Sequence, residues 1–116
     1  MQGKRTGRTV EELRSLLTLA TAGNSEAYDR IVARFRDMAY SYAYAILRDF
    51  GLAEDATQEA FLQAFQDLPR LREPGAFPGW LRRIVFKECD RLTRRKRLPT
   101  VPLEEARGLP AREAGT

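Results

Sequence analysis

Residues 77–97 read FPGWLRRIVFKECDRLTRRKR, and the rest of the chain can be interpreted from this stretch. Pro78 suits the first turn of a helix, because its ring fixes φ and its missing N–H would have no helical partner there. Apolar residues then recur at three- and four-residue steps, as on one face of a helix. They are Phe77, Leu81, Ile84, Val85, Cys89 and Leu92. The sequence therefore predicts one helix over residues 77–97 with a buried side.

The same stretch carries an excess of positive charge on another side. Between residues 80 and 97 there are eight basic side chains against Glu88 and Asp90, a net charge of +6. The eight are Arg82, Arg83, Lys87, Arg91, Arg94, Arg95, Lys96 and Arg97. Like charges one turn apart repel, and phosphates would offset that repulsion. A polyanion is the expected partner. A membrane surface is the rival, and the long apolar helix before this one argues that the apolar side is already used in a core.

Composition limits the possible classes of protein. The chain has 116 residues, which is one domain, and 43% of them are hydrophobic. It has no apolar run of the roughly 20 residues that span a bilayer, and no apolar segment follows the basic residues near its start. One cysteine and no histidine argue against a disulfide or a zinc site. We expect a cytoplasmic domain without a metal or another cofactor.

Catalysis is not expected from these residues. Glu54, Asp55 and Glu59 could be imagined as metal ligands, but carboxylate di-metal sites in helical bundles usually include Glu-x-x-His pairs. The sequence contains no glycine-rich phosphate loop and no histidine to activate a nucleophile. Cys89 falls on the apolar side of its helix, which favours a buried, inert thiol. We therefore predict that the domain is not an enzyme and has no catalytic residue.

Three further helices are predicted before residue 77, and the fold class is all-α. Thr9 and Glu12 fit a capping box, so residues 1–8 are expected to be flexible and a short helix to follow. Helical periodicity is strongest over residues 25–48, after a possible cap at Asn24, and a third helix is predicted over residues 53–68. The expected domain, residues 9–97, is a compact bundle of three main helices plus the short first one. Residues 98–116, with three prolines and two glycines, are expected to be a linker or tail.

The third predicted helix has an acidic outer side. Residues 49–67 contain five acids and no base, and Leu62 lies among the acids and amides of that side. A solvated helix face is the ordinary interpretation. An apolar centre with a charged rim is also typical of a protein–protein interface, and composition alone does not choose between the two. Trp80, with Phe77 and the turn-rich residues 69–75 beside it, could offer aromatic surface to unstacked bases or could simply pack in the core.

Three runs in this order resemble region 2 of bacterial sigma factors, most closely the extracytoplasmic-function (ECF) group. They are NSEAYDRIVARFRDMAYSYAYAILRD, GLAEDATQEAFLQAFQDL and FPGWLRRIVFKECDRLTRRKR, which together cover about residues 24–97. The resemblance implies that the domain binds the β′ clamp helices of RNA polymerase. It also implies that the domain captures the non-template strand of the promoter −10 element, so that melting follows from preferential binding of the open strand.

The resemblance assigns residues to both partners. The polymerase contacts it implies are Asp55, Gln58, Glu59 and Leu62. The DNA contacts it implies are Arg70, Arg72, Phe77, Trp80, Arg83, Lys87, Arg91, Arg94 and Arg95.

The sequence also departs from the sigma pattern. Many sigma factors have an asparagine where Lys87 stands, and the usual aspartate is one residue early, at Asp90. Nothing after Arg97 resembles the region 4 that reads the −35 element, so we expect a fragment or a stand-alone region 2. The alternative function is a helical module that binds a protein, such as an anti-sigma factor, without engaging DNA itself.

Overall fold

The computed structural model describes the backbone of residues 2–97 and the side chains of residues 10–95. Four α-helices follow one another, with two short 3-10 turns, Leu68–Arg70 and Pro74–Ala76, between the last two. The helices are α1 (Gln2–Thr21), α2 (Ser25–Leu47), α3 (Phe50–Asp67) and α4 (Phe77–Arg97). These residues form no strand, which confirms the all-α prediction. The linker predicted over residues 98–116 lies outside the described residues.

Helix α1 is longer than the sequence predicted. It begins at Gln2, so Thr9 lies inside it and the predicted cap at Thr9 is wrong. A capping preference is worth about 1 kcal/mol, and a helix already held by tertiary packing can continue through such a residue. Leu13, Leu17 and Ala20 supply that packing, with exposures of 7%, 4% and 2%. The helix ends in a turn in which Gly23 has a φ of 103°, a conformation that favours glycine.

Helix α2 confirms the strongest sequence signal and ends one residue before its predicted end. The side chain of Asn24 accepts a hydrogen bond from the Ala27 N–H at 2.9 Å, which caps the first turn. At the other end Arg48 adopts a left-handed φ of 56° and donates its N–H to the Tyr44 carbonyl at 2.7 Å. This turn lets the chain reverse within two residues before α3 starts.

Helix α3 begins three residues earlier than predicted, at Phe50. The Asp49 carboxylate accepts the Leu52 N–H at 2.8 Å and is the N-cap that fixes this start. The ring of Phe50 stacks on Tyr44 of α2, with centroids 4.7 Å apart and planes 12° from parallel. Sequence periodicity missed this first turn because its stabilising contacts are the cap and a ring from another helix.

The core lies where α3 packs between α2 and α4. Alanines with no exposed surface allow the backbones of α2 and α3 to approach closely, because at each of these positions the side chain is only a methyl group. They are Ala39 and Ala43 on α2, and Ala53, Ala56, Ala60 and Ala64 on α3. The Tyr28 hydroxyl on α2 donates a buried hydrogen bond to the Phe61 carbonyl on α3 at 2.5 Å. Burial raises the pKa of that hydroxyl, so it stays protonated and able to donate.

Helix α4 has the bounds that the sequence predicted and buries the predicted side. Phe77, Leu81, Val85 and Cys89 have no exposed surface, so Cys89 is the buried thiol that the sequence indicated. Ile84 and Leu92 are partly buried against the same core. No helix within residues 2–97 is both long and apolar enough to cross a bilayer.

Candidate interaction surfaces

The outward side of α3 carries the predicted acidic face, which consists of Asp55, Gln58, Glu59 and Leu62. All four side chains are exposed, and Leu62 is 61% exposed although it is a large aliphatic residue. The opposite side of the helix is buried in the core through its alanines and Thr57, whose Oγ1 donates to the Ala53 carbonyl of the same helix at 2.7 Å. Packing against the core sets the rotation of α3 about its own axis, and the acidic face therefore points to solvent.

A groove runs beside the acidic face, between α2 and α3. Its volume is about 840 Å³. Leu62 and Gln58 contribute one wall, and Val32 and Tyr40 of α2 the other. Sequence reasoning did not include the α2 wall, because it assigned the apolar residues of α2 to the core. The groove extends the apolar surface around Leu62 beyond α3.

The exposed side of α4 carries the predicted basic stripe, which consists of Arg83, Lys87, Arg91, Arg94 and Arg95. Each of these five side chains is exposed to solvent. They share the helix with the buried stripe, so the core of the domain fixes the direction in which they project. The periodicity of the sequence predicted both sides of this helix correctly.

Two members of the basic stripe form ion pairs within α4. Arg91 contacts the Glu88 carboxylate at 2.5 Å, and Arg94 contacts Asp90 at 3.0 Å. The hydrogen bond to Glu88 is the main cause that raises the pKa of Arg91. The Arg94–Asp90 pair is exposed on both sides, and such a pair is worth only about 0.3–0.5 kcal/mol on a helix, so a phosphate can replace Asp90 at little cost. The Glu88 side chain is only 13% exposed, so its pair with Arg91 is partly shielded from solvent. The stripe is thus partly neutralised but remains accessible.

The two charged surfaces interact electrostatically through Glu59 and Arg91. The Glu59 carboxylate of α3 is close enough to contribute to the raised pKa of Arg91, although less than Glu88 does. Helix packing therefore brings a carboxylate of the acidic face within electrostatic range of the basic stripe. The sequence separates these residues by about thirty positions and gives no sign of this interaction.

Phe77 is not available as a nucleic-acid contact. Its side chain has no exposed surface, and its ring packs edge-on against Phe35 of α2 at a centroid distance of 5.1 Å. The predicted base contact by this ring is therefore corrected to a core role. Phe77 lies under Trp80, with centroids 5.8 Å apart, and Trp80 is itself only partly buried. Trp80 both packs on the core and presents surface, as the sequence left open.

The connection before α4 presents two more cations. Arg70 closes the 3-10 turn Leu68–Arg70, and Arg72 follows in the extended segment; both are exposed. The Leu71 N–H bonds to the Leu68 carbonyl at 2.9 Å, and Leu68 is buried, so the turn is attached to the core. The second turn, Pro74–Ala76, leads directly into α4. The connection is ordered by these turns and keeps both arginines in solvent.

A concavity between α2 and α4 contains residues that sequence reasoning did not select. It is lined by Tyr42 of α2 and by Trp80, Arg82, Arg83 and Phe86 of α4, and its volume is about 660 Å³. Phe86 is 51% exposed on the charged side of the helix. The signal that singled out Leu62, an apolar residue on a polar side, applies equally to Phe86 and could have found it.

Comparison with known families identifies the domain. Residues 31–98 match the family model of sigma-70 region 2. The chain belongs to the sigma-70 region 2 family. The match includes α2 from Ile31 onward, all of α3 and all of α4, so both charged surfaces fall inside it.

Named sigma factors show the same similarity. The chain is 36% identical over 100 residues to the ECF RNA polymerase sigma factor SigM of Mycobacterium tuberculosis, covering 85% of this chain and 51% of SigM. It is 32% identical over 75 residues to the ECF RNA polymerase sigma factor SigW of Bacillus subtilis, covering 64% of this chain and 40% of SigW. A probable RNA polymerase sigma factor, RfaY of Xanthomonas campestris, is 46% identical over 66 residues, 57% of this chain and 16% of RfaY. The chain spans about half the length of SigM and less of the other two.

Proposed function

We propose that the domain acts as region 2 of an ECF sigma factor in transcription initiation. In this proposal the acidic face binds the β′ clamp helices of RNA polymerase. The basic stripe, together with the connection before α4, binds the non-template strand of the promoter −10 element. The observation that carries the proposal is the exposure of two oppositely charged helix surfaces on one core, inside the part of the chain that matches the family.

The acidic face has the composition expected of a protein interface. Leu62 supplies an apolar centre, and the carboxylates of Asp55 and Glu59 supply a charged rim that would steer a basic partner. Burying an exposed leucine against a partner contributes about 1.5–3 kcal/mol, which is enough for one residue to dominate binding. The groove beside Leu62 offers additional apolar area to a helical partner.

The basic stripe is suited to a phosphate backbone rather than to base sequence. Arginines and lysines that contact phosphates contribute affinity that depends on salt and position the strand. Arg83 and Lys87 lie one turn apart on α4, and Arg91 continues the same row. Binding to the open strand in preference to the duplex would shift the melting equilibrium without any chemical step. Phe77 contributes indirectly, because its buried ring supports Trp80.

The substitution Leu62→Asp tests the polymerase contact. We expect it to weaken binding to an immobilised β′ clamp-helix fragment by about thirtyfold or more, because it removes the apolar centre and adds a desolvation cost. Leu19→Asp is the matched control, since Leu19 is 48% exposed on α1, away from the acidic face. Both variants should keep the thermal midpoint of the wild type. Equal binding by Leu62→Asp and Leu19→Asp would refute the assignment of the acidic face.

Salt dependence tests the DNA contact. Affinity for a single-stranded −10-like oligonucleotide should fall steeply with salt, and the double variant Arg83→Gln, Lys87→Gln should reduce the slope of log K against log salt by about 1.4. Circular dichroism would confirm that the variant is folded. If wild-type affinity is the same at low and high salt, the phosphate contacts are absent. A clamp-helix interaction that persists in that case would favour the alternative, a protein-binding helical module that does not engage DNA.

A further inference from the structure

Helices α1 and α2 form a hairpin with a groove between them. Only residues 22–24 separate the end of α1 from the start of α2, so the two helices run antiparallel as neighbours. Two depressions lie between them, of about 730 Å³ and 490 Å³, and both are lined by Leu16, Leu19 and Arg30. They therefore form one continuous surface, which we call the hairpin groove. Apart from Arg34, its lining precedes residue 31, where the match to the family model begins.

The centre of the hairpin groove is apolar. Leu19 is 48% exposed, and Leu16 beside it is only partly buried. The core of the domain uses a different side of α1, which consists of Leu13, Leu17 and Ala20. A partner that covered Leu16 and Leu19 would therefore add apolar burial that the fold itself does not provide. Because single exposed leucines are ordinary on protein surfaces, the charges around this pair decide what kind of partner it suits.

Charges of both signs surround this apolar centre. Glu26 and Arg30 lie four residues apart on the α2 side of the groove, a spacing at which opposite charges can pair along a helix. Both side chains are exposed, and neither forms an ion pair within the part of the chain whose side chains the structure describes. The other charged residues of the lining are Glu11, Glu12, Asp29 and Arg34. The acidic face of α3, by contrast, offers one sign of charge only.

A surface with both signs of charge is suited to a second copy of itself. In a two-fold interface the same patch faces itself, so that residue i of one copy meets residue j of the other and j meets i. A patch with a single sign of charge repels its own copy. A basic helix from another protein would suit the acids of the hairpin groove but would be repelled by Arg30, which lines both depressions. A second copy instead brings Glu26 to that arginine.

We propose that the hairpin groove is a self-association surface, through which two copies of the chain pack about a two-fold axis. The two hairpins stack antiparallel, so that Leu16 of one copy covers Leu19 of the other, and Glu26 of each copy pairs with Arg30 of the other. Four helices then surround the leucines, as in a small helical bundle. The inference does not depend on the proposed function, because the acidic face and the basic stripe belong to α3 and α4.

Sedimentation equilibrium of the chain tests the self-association directly. The weight-average mass should rise from that of one chain toward that of two between about 1 µM and about 500 µM, the range of a weak, small interface. Leu19→Asp should keep the mass at that of one chain over this range, because it places a carboxylate in the apolar centre. Leu62→Asp is the matched control, since Leu62 is an exposed leucine of α3, and it should self-associate as the wild type does. A wild-type mass that stays at one chain throughout overturns the inference.

Charge reversal tests the pairing of Glu26 with Arg30. Glu26→Arg and Arg30→Glu should each weaken self-association about tenfold or more, because like charges then meet twice across the two-fold axis. An equimolar mixture of the two variants should associate as the wild type does, since the arginines of one copy then face the glutamates of the other. The double variant Glu26→Arg, Arg30→Glu should recover for the same reason. Thermal unfolding measured in parallel should show that each variant is folded.

The outcomes distinguish this inference from the proposed function. If the mixture associates no better than either variant alone, Glu26 and Arg30 do not pair between copies and the inference is wrong. If Leu62→Asp abolishes self-association and Leu19→Asp does not, the copies meet through the acidic face and the inference is overturned. If the wild type is a monomer but binds the β′ clamp-helix fragment, the inference fails and the proposed polymerase contact stands. Self-association without any clamp-helix binding supports the inference and refutes that contact.

Discussion

The outer sides of α3 and α4 have the same arrangement of apolar and charged residues, but with opposite charges. Each places one large apolar side chain among charged residues: Leu62 is 61% exposed among acids and amides, and Phe86 is 51% exposed among bases. The difference lies in the chemistry of the two apolar groups. An aliphatic side chain fits a groove between partner side chains, whereas a flat ring fits the face of a base. Under the proposed function, the acidic face with its aliphatic centre suits a protein partner, and the basic stripe suits a nucleic-acid strand.

The two surfaces are not independent of each other. Glu59 of the acidic face contributes to the raised pKa of Arg91 in the basic stripe, and both helices pack on the same alanine-rich core. A change of charge on one surface therefore affects the electrostatics of the other. Substitutions that change stability or charge separately measure how far the acidic face and the basic stripe depend on each other.

Leu81→Ala should have the largest effect, because Leu81 is fully buried beneath α4. Truncating a buried leucine costs about 3 kcal/mol of unfolding free energy. Both surfaces should then be lost together as the domain unfolds at lower denaturant concentration. Leu62→Ala, at an exposed leucine, should change stability by less than about 0.5 kcal/mol. Equal destabilisation by the two variants in urea titrations would show that Leu62 supports the core and is not free to bind a partner.

The buried side of α4 should respond to alkaline pH through Cys89. Burial, and to a lesser extent the Glu88 carboxylate, raises the pKa of this thiol from 9.0 to about 11. Above pH 9 the unfolded chain loses the thiol proton while the folded chain keeps it, so the free energy of unfolding falls as pH rises through this range.

The Cys89 contribution at pH 10 should be about 1 kcal/mol smaller than at pH 8. The measurement is the difference in unfolding free energy between the wild type and Cys89→Ala at the two pH values, which cancels the titration of the tyrosines. That difference should move in favour of Cys89→Ala at pH 10. A difference that does not change with pH would mean that the thiol already ionises normally in the fold.

Glu88→Gln should have the smallest effect. It removes the carboxylate paired with Arg91 and leaves the arginine available to a phosphate. Because an ion pair between residues three apart on a helix is worth about 0.2–0.5 kcal/mol, affinity for a single-stranded oligonucleotide should rise by a factor of about two at low salt. Binding to the clamp-helix fragment should not change. Lower oligonucleotide affinity in this variant would indicate that Glu88 orients Arg91 for binding and does not compete with DNA.

Sequence periodicity predicted most of the fold because the helices are amphipathic. The bounds of α4 match the prediction, and α2 differs by a single residue, since both combine a long apolar period with a clear start or stop. The starts of α1 and α3 were wrong for a common reason. Tertiary contacts, such as the ring of Tyr44 on Phe50, and the cap at Asp49 add turns that the apolar period does not mark.

The candidate surfaces could be predicted in part. Leu62 was identified because it interrupts a polar side, and exposure of the acidic face agrees with that interpretation. Phe86 was overlooked because only the charged residues of that side of α4 were considered, and not the apolar residue among them. Phe77 was misassigned because its position at the start of α4 does not tell whether the ring faces solvent or Phe35; only the packing of α2 decides this.

The sequence alone determined four helices, which side of each is apolar, and the segregation of acids and bases onto different helices. These properties are local, because a period of 3.6 residues fixes which side chains share a face. The tertiary structure decided which aromatic rings are buried, that Glu59 acts electrostatically on Arg91, and that Tyr42 joins Trp80 and Phe86 around one concavity. These relations depend on how α2, α3 and α4 pack against one another, and no pattern within a single helix contains that information.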